Sequence, residues 1–429
     1  MKQYKKPSKT NWASLCRRPI ENNQDIVSAV ANILSNVKDG GDQTLKEYTQ
    51  KFDKAQLTQL KVTSEEISEA TAKVSEALKK AIKLAKSNIT SFHKAQERTI
   101  QKIETTKGVN CWQESRAISK VGLYIPGGSA PLFSTVLMLG IPATIAGCKE
   151  IVLCTPPDRN GNINPAILYT AQLVGVTTIF KLGGAQAIAA MAYGTASVPQ
   201  VYKIFGPGNS YVTTAKQQVQ QEGIAIDMPA GPSEVLVIAD ETGVPAFIAS
   251  DLLSQAEHGP DSQVILVSNN ARITSETLVE LEIQLAALPR KDIATKALEN
   301  SKAILFETIE ECIDYSNEYA PEHLILASEK AENWLDAIEN AGSVFIGNYS
   351  CESAGDYASG TNHTLPTAGF AKNYSGVTLG SFTKEITFQE LSKEGIENIG
   401  PAIELMAEAE DLIAHKNAVT LRLKALEDE

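Results

Sequence analysis

Histidine is scarce in this chain, which has five histidines among 429 residues. Long apolar runs are absent too: no stretch approaches the roughly 18–20 residues that cross a bilayer, so the sequence predicts no membrane segment. The first residues, MKQYKKPSKTNWASLCRRP, are basic but lack the apolar core of a signal peptide, which predicts a cytoplasmic protein. The six cysteines show no Cys-x-x-Cys spacing, so we interpret them as reduced thiols.

Positively charged residues are fewer than negatively charged ones. The formal net charge is −12 at pH 7, and Lys and Arg do not cluster beyond the first segment. Binding to phosphates needs clustered cations, so we expect no nucleic-acid partner. The same charge disfavours steering of an anionic cofactor, and any dinucleotide must be held by local backbone donors. The standard GxGxxG dinucleotide fingerprint is missing.

Short apolar runs alternate with helical patterns from about residue 120 onward. The chain exceeds the roughly 250–300 residues at which single cores stop growing, which predicts at least two domains. Apolar strands flanked by helices favour parallel sheets covered on both faces. The sequence therefore predicts an α/β fold with two Rossmann-like domains and helical N- and C-terminal extensions. The predicted strands lie at 121–126, 151–156, 177–184, 203–209, 234–240, 263–269, 303–309, 323–328 and 343–348.

Three glycine-rich turns follow predicted strands: IPGGSAP at 125–131, KLGGAQAIAA at 181–190 and FGPGN at 205–209. Such turns let backbone N–H groups approach phosphate oxygens. Ordinary strand-to-helix turns use the same residues, so both interpretations stay open at this point. From about 395 the helical pattern returns, and Pro401 suits a first helical turn.

A helix is predicted over about 246–258, opened by Pro245 and closed by Gly259-Pro260. Gln255 and His258 would lie side by side on it and could seat one metal ion. Such a pair is commonplace on helices, so alone it is weak evidence of a metal site.

Four histidines lie near carboxylates, as Glu257-His258, Glu322-His323, Asp356 with His363, and Glu410 with His415. Imidazole titrates near neutral pH and is the commonest transition-metal ligand, so these pairs suggest acid–base catalysis or metal binding. Acids number 51, however, and any single pair can arise by chance. Glu322-His323 could equally be a solvated acid beside a core histidine, Asp356 a turn residue, and His415 a solvated helix residue.

The string IDMPAGPSEVLVIAD, followed by SDLLSQAEHG, closely resembles the signature of the histidinol dehydrogenase family. Gly243, where that signature has alanine, is one small departure in a predicted loop. Further strings resemble the family over nearly the whole chain: VGLYIPGGSAPLFSTVLM, GGAQAIAA, KIFGPGN, EYAPEHLIL, GDYASGTNHTLPT and AHKNAVTLR.

This resemblance implies a zinc- and NAD-dependent enzyme that oxidises L-histidinol through bound L-histidinal to L-histidine, the last step of histidine biosynthesis. One Zn²⁺ per subunit would be held by Gln255, His258, Asp356 and His415, and would act as a template for the substrate. His323 would be the base in both oxidation steps, and Glu322 would activate the water. Besides His323 and the metal ligands, substrate contacts would come from Ser233, His363 and Glu410. The cofactor contacts would be Tyr124, Gln186 and Asn209.

The resemblance also implies a homodimer with shared active sites, in which Glu410 and His415 complete a site in cis or in trans. On this basis, residues 1–22 form an N-terminal arm. Residues 23–104 are mostly helical and join 233–378 as the domain with the metal and catalytic residues. The second α/β domain spans 105–232 and has the cofactor-binding turns, and 379–429 form a tail swapped to the partner.

Two alternatives remain open. One is a related zinc dehydrogenase of the same fold that oxidises another amino- or sulfo-alcohol. The other is a non-catalytic dinucleotide-binding or assembly protein, which would be expected to lack some of the acids and bases above.

Overall fold

The computed structural model describes residues 1–19, 24–127 and 131–428. Residues 128–130, in the first predicted glycine-rich turn, therefore lie outside the described residues. The chain divides into two compact units, of which the first comprises Met1–Ala95 with Ile118–Phe382 and the second comprises Gln96–Ala117 with Thr383–Glu429.

The first unit has a six-stranded sheet in which the paired strands run parallel. Its strands, in spatial order, are Lys2–Lys5, Lys302–Leu305, Gln263–Ser268, Glu234–Ala239, His323–Ala327 and Ser343–Ile346. The central strand EVLVIA is buried along its whole length, as expected for a parallel strand with helices on both faces. The helices that follow its strands are Pro245–Ala256, Ala271–Ala287, Lys291–Glu299, Ile309–Tyr319 and Glu352–Tyr357.

A five-stranded parallel sheet lies in the same unit. Its strands, in spatial order, are Thr178–Lys181, Glu150–Thr155, Lys120–Tyr124, Lys203–Phe205 and Ala225–Ile226. The helices between these strands are Phe133–Ala146, Pro165–Leu173, Gly184–Tyr193 and Ser210–Gln221. Two parallel sheets flanked by helices confirm the predicted α/β fold class.

The N-terminal helices are Gln24–Tyr48, Ser64–Lys73 and Glu76–Lys94. Each of the last two begins at a hydroxyl cap, because Thr63 accepts from the Glu66 N–H and Ser75 from the Leu78 N–H. Short helical turns complete the unit at Lys9–Asn11, Trp12–Leu15, Thr49–Asp53, Ala331–Ala337, Phe370–Lys372 and Leu379–Phe382.

The second unit contains an antiparallel sheet of the strands Ile103–Thr106, Val109–Ala117 and Thr383–Leu391, and the helices Lys393–Ala409 and Ile413–Glu427. Two details differ from expectation. Ile103–Thr106 is a strand at the end of a segment whose periodicity predicts mostly helix. Pro401 lies inside its helix rather than in the first turn, because Ser392 caps the helix earlier by accepting from the Gly395 N–H.

The two helices of the second unit and the turn between them leave large apolar side chains exposed, namely Leu405, Met406, Leu412, Ile413 and Leu421. Exposed apolar patches commonly mark an interaction surface. Among the described residues, no helix combines the length and apolarity needed to cross a membrane.

Candidate active site

The candidate site forms where strands of the six-stranded sheet begin. His323 is the first residue of its strand and pairs in register with Val235 of the central strand. Glu322 immediately precedes that strand, and Ser233 immediately precedes the central one. Gln255 reaches the same edge because the helix Pro245–Ala256 runs back along the sheet from the far end of the central strand.

The main chain of Glu234 connects the two predicted catalytic residues. Its N–H donates to Oε2 of Glu322 at 2.9 Å. Its carbonyl oxygen accepts from Nε2 of Gln255 at 3.1 Å and lies 3.2 Å from Nδ1 of His323. Nε2 of Gln255 also lies 3.3 Å from this Nδ1, but it already donates to the Glu234 carbonyl at a shorter distance. We therefore assign the His323 proton to Nδ1, because the nearby carbonyl can only accept. This tautomer leaves Nε2 of His323 as the basic nitrogen.

Arg18, from the N-terminal segment, holds the side chain of Glu234. Its Nε and Nη2 donate to the two oxygens of the Glu234 carboxylate at 2.9 Å and 3.1 Å. The Ala368 N–H donates to the same carboxylate at 2.9 Å, and the Arg18 guanidinium lies 3.7 Å from the centre of the Tyr319 ring. A bidentate, buried pair of this kind fixes geometry as well as charge. The start of the central strand is therefore anchored from both its main chain and its side chain.

The short helix Glu352–Tyr357 brings further carboxylates to the cluster. It packs closely on the strand Ser343–Ile346, since a Cβ at Gly355 would lie 2.8 Å from ring atoms of Phe345. Oδ1 of Asp356 then lies 3.7 Å from Nε2 of His323 and 3.8 Å from Nδ1 of His363. Single ligand atoms of His258, Glu352 and Asp356 all lie within 4.8 Å of one another.

The pocket is electrostatically unbalanced toward negative charge. Burial raises the pKa of the Glu322 carboxyl from 4.5 to about 8. Burial alone would lower the pKa of His323, but the charges of Glu352 and Glu322 outweigh it and raise this pKa to about 10. Burial would likewise raise the pKa of Asp356, yet the His323 ring holds it below 3.8. The buried acids therefore exceed the charge that the neighbouring imidazoles can balance. A cation entering the pocket would be strongly attracted and would lower the pKa of both Glu322 and His323.

His258 is exposed as a residue, although its imidazole lies against protein atoms whose packing lowers its pKa. A lowered pKa favours the neutral imidazole, which is the form that binds metal ions.

The structure thus brings together most of the residues predicted from the sequence for metal, catalysis and substrate: Gln255, His258, Glu322, His323, Asp356 and His363, with Ser233 at the same edge of the sheet. Glu410 and His415 belong to the second unit, at the end of one of its helices and near the start of the next, and both are exposed. Their predicted roles stay predictions.

Sequence reasoning missed Glu352, Glu234 and Arg18. For Glu352 a signal existed, because it precedes Asp356 by four residues, and a helix places such residues on one face. Glu234 acts mainly through its backbone, and Arg18 lies 216 residues before it in sequence. No local pattern could indicate either role.

A separate cavity of about 1180 Å³ is lined by all three predicted cofactor residues, Tyr124, Gln186 and Asn209. The Tyr124 hydroxyl oxygen accepts from the Gly184 N–H at 3.1 Å, at the second predicted glycine-rich turn. Burial raises the pKa of Tyr124 to about 12, so its hydroxyl stays protonated. Oδ1 of Asn209 caps the helix Ser210–Gln221 by accepting from two backbone N–H groups. A helix N-terminus offers a positive dipole end to phosphate groups.

Comparison with known proteins gives one consistent result. The family model described as Histidinol dehydrogenase matches residues 16–423. The histidinol dehydrogenase of Bacteroides thetaiotaomicron is 59% identical over 426 residues, covering 99% of this chain and 100% of the relative. That of Escherichia coli K12 is 55% identical over 417 residues, with 97% of this chain and 95% of the relative covered. The crystal structure of histidinol dehydrogenase from Elizabethkingia anophelis has a TM-score of 0.98 and 60% identity, covering 100% of this chain and 99% of that chain.

Proposed function

This chain belongs to the histidinol dehydrogenase family, whose activity is the NAD-dependent oxidation of L-histidinol to L-histidine, and we propose that it performs this reaction at the buried cluster around His323. The family membership, the oxidoreductase class and the place in histidine biosynthesis predicted from the sequence are confirmed. The observation that carries the assignment of the site is the shared anchoring of Glu322, His323 and Gln255 on the main chain of Glu234.

The residues present fit a divalent cation. Nε2 of Gln255 is used by the Glu234 carbonyl and by Glu322, so its carbonyl oxygen Oε1 is buried without a hydrogen-bond partner among the described residues. An orphaned buried oxygen of this kind is costly unless a ligand satisfies it. Zn²⁺ would be held by Gln255, His258 and Asp356 together with His415, a set of oxygen and nitrogen ligands that this ion accepts. When bound, the ion supplies a positive charge that anchors the amine and imidazole of the substrate.

His323 is the proposed base. An alcohol releases hydride only as its hydroxyl proton is withdrawn, and a neutral imidazole nitrogen within reach is suited to take it. The divalent ion would lower the His323 pKa from the value of about 10 that the nearby acids impose, and so would favour the neutral ring. With Nδ1 held by the Glu234 carbonyl, Nε2 faces the pocket and has no hydrogen-bond partner within the described parts of the chain. When bound, NAD⁺ would supply the nicotinamide that accepts the hydride. His323 takes a proton in each of the two oxidations, which together consume two NAD⁺.

Glu322 is the proposed activator of water for the second oxidation. The aldehyde must add water before it can lose a second hydride and become a carboxylate. Within the described residues, both hydrogen bonds to the Glu322 carboxyl end on Oε2. Oε1 is then the oxygen available to take a proton from the attacking water.

The remaining substrate contacts are proposed for Ser233, His363 and Glu410. Ser233 stands at the start of the central strand, where its hydroxyl can meet the substrate. His363 is held near Asp356, and its buried Nε2 has no partner in the described residues, which leaves it for a substrate oxygen. Glu410 would pair with the substrate ammonium by a charge-assisted hydrogen bond.

NAD⁺ is proposed to occupy the cavity lined by Tyr124, Gln186 and Asn209. Gln186 is 2% exposed and sits in the first turn of the helix Gly184–Tyr193. The N–H groups of Gly184, Tyr211 and Val212 already donate to side chains of the chain. The positive dipole ends of this helix and of Ser210–Gln221 would therefore face the pyrophosphate, which the acidic net charge of the chain does not itself attract.

We further propose a homodimer in which the helices of the second unit bear the interface. Their exposed Leu405, Met406, Leu412, Ile413 and Leu421 form the kind of surface that a second copy would bury. In this arrangement Glu410 and His415 complete an active site. All six cysteines are free thiols, which supports an enzyme of the reducing cytoplasm.

The assignment is tested by NADH formation from purified protein with L-histidinol and, separately, with simple diols. We expect turnover with L-histidinol only, loss of turnover after chelation, restoration by Zn²⁺, and loss in His323→Asn. Turnover with the diols alone would reassign the substrate to another alcohol. Activity surviving both chelation and His323→Asn would refute the proposed chemistry.

A further inference from the structure

Glu352 is a buried acid that has no role in the proposed reaction. It is the first residue of the helix Glu352–Tyr357 and is 1% exposed. Neither Oε1 nor Oε2 has a hydrogen-bond partner in the part of the chain that the structure describes. A buried carboxylate is normally paired or coordinates a metal ion, because its desolvation is expensive. The carboxyl of Glu352 therefore needs a partner that the protein's own described atoms do not supply.

The surroundings of Glu352 indicate what kind of partner fits. Oxygen atoms of Glu352 and Asp356 and a ring nitrogen of His258 all lie within 4.8 Å of one another. Ligands at about 2.0–2.2 Å from a common Zn²⁺ would lie about 3–4 Å apart, so these three groups need only a small contraction to share one ion. The unpartnered Oε1 of Gln255 belongs to the same pocket.

The charges around Glu352 also favour a bound cation. Glu352 interacts unfavourably with Asp356, Glu322 and Asp251, and favourably with His323 alone among the groups that act most strongly on it. The four carboxyls of Glu352, Asp356, Glu322 and Asp251 outnumber the imidazoles of His258, His323 and His363 beside them, which is a poor arrangement for a protein interior without a cation.

An ordinary structural role does not account for this placement. An acid in the first turn of a helix can stabilise the helix dipole, as Glu310 can in the helix Ile309–Tyr319. Glu310 does so from an exposed position, where its charge stays hydrated. Glu352 instead loses its hydration and accepts no described backbone N–H.

We propose that Glu352 is a further cation-holding carboxylate of this site, which acts beside His258 and Asp356 to retain the divalent ion. The proposal rests on the proposed function, since it names one more residue of the site assigned to that reaction. Glu352 makes the metal-free pocket less stable and the metal-loaded pocket more stable. A residue with a purely structural role would change the stability of both forms in the same direction, so these opposite effects on the two forms identify a metal-site residue.

The test is the isosteric variant Glu352→Gln, with Glu352→Asp as its charge-conserving companion and Glu310→Gln as the matched control on another helix. Zn²⁺ alone is the probe, and its affinity is measured by competition with a chromophoric chelator. We expect Glu352→Gln to bind Zn²⁺ at least about tenfold more weakly. Glu352→Asp should lose less, and Glu310→Gln should match the parent chain.

Thermal unfolding supplies the second readout. Metal-free Glu352→Gln should unfold at a higher temperature than the metal-free parent, and Zn²⁺ should raise its unfolding temperature by less. Unchanged Zn²⁺ affinity, or a metal-free variant that is less stable than the parent, would overturn the proposal. If Glu352→Gln does not fold, Glu352→Asp decides: parent-like Zn²⁺ affinity at a carboxylate shortened by one methylene would also overturn it.

These readouts do not depend on turnover, so the two proposals can fail separately. A parent chain that binds Zn²⁺ but forms no NADH from L-histidinol would refute the proposed function. In that case the effect of Glu352→Gln on Zn²⁺ affinity would still decide whether Glu352 holds the cation.

Discussion

Replacing Glu322 with glutamine should separate the two oxidations. Both hydrogen bonds to this side chain, from the Glu234 N–H at 2.9 Å and from Nε2 of Gln255 at 3.3 Å, end on the single atom Oε2. The carbonyl oxygen of a glutamine can accept both bonds, and its amide group then takes the place of Oε1. Glu322→Gln therefore keeps the local structure and removes only the capacity to take a proton.

The expected loss falls on the step that needs activated water. A positioned general base contributes about 10²–10⁴-fold, which corresponds to about 3–5 kcal/mol of barrier at 1.36 kcal/mol per decade. Oxidation of L-histidinal should slow by this factor, and the first oxidation by less than about tenfold. His323→Asn should slow both steps, since its imidazole takes a proton in each.

The assay is single-turnover NADH formation followed by rapid mixing, with enzyme in excess over L-histidinol. The parent chain should give two equivalents of NADH, whereas Glu322→Gln should give one rapid equivalent followed by a slow second one. Supplying L-histidinal directly should give only the slow phase in the variant. Equal slowing of both phases in Glu322→Gln would refute the division of labour between Glu322 and His323.

Three further outcomes are expected. The free energy of unfolding of the metal-free parent should fall relative to that of metal-free Glu322→Gln between about pH 5 and pH 8, because the pKa of Glu322 is raised from 4.5 to about 8 and the folded state binds that proton more tightly. His323, His258 and His363 titrate in both chains, so the difference between the chains isolates Glu322. Denaturant titrations across this range should show this difference, and equal slopes in the two chains would contradict the assignment. Gly355→Ala should lower the free energy of unfolding by about 1–3 kcal/mol through overpacking, because its Cβ would lie 2.8 Å from the Phe345 ring. Gly380→Ala, whose Cβ would have its nearest neighbour at 3.5 Å, should lower it little. Equal losses of unfolding free energy in urea titrations of the two variants would exclude a specific contact at Gly355. Asn209→Asp should keep the cap of its helix but weaken NADH binding in fluorescence titrations by repelling the pyrophosphate, and unchanged binding would remove Asn209 from the cofactor site.

The elements that the sequence predicts well are those that local pattern determines. The predicted helix 246–258 is observed as Pro245–Ala256, because Pro245 fixes its first turn and its apolar stripe packs on the sheet. The predicted strand 234–240 is observed as Glu234–Ala239 for a similar reason, because the apolar run 235–239 within it favours burial on both faces.

The elements that it does not predict depend on distant pairing. Lys2–Lys5 becomes a strand because it pairs with Lys302–Leu305, about three hundred residues later. Val109–Ala117 pairs with Thr383–Leu391 over a comparable separation. Both segments are polar, and no periodicity distinguishes them from loops.

The candidate site shows the same division. Gln255, His258 and Asp356 follow from a family resemblance, residue by residue, and the structure gathers them at one edge of the sheet. Glu352 is visible in the sequence only once a helix is known to place it on the face of Asp356. The contribution of Glu234 is not visible at all, because it is made by its peptide groups.

The main-chain role of Glu234 limits what side-chain substitutions at this position can reveal. The N–H and carbonyl of Glu234 orient both reactive side chains, and every amino acid except proline presents the same two groups. A survey of substitutions at this position would measure the loss of the ion pair with Arg18 and would not measure the main-chain contribution. Only a backbone edit, such as an ester in place of the amide before residue 234, would delete the N–H that orients Glu322 and leave the side chain as it is.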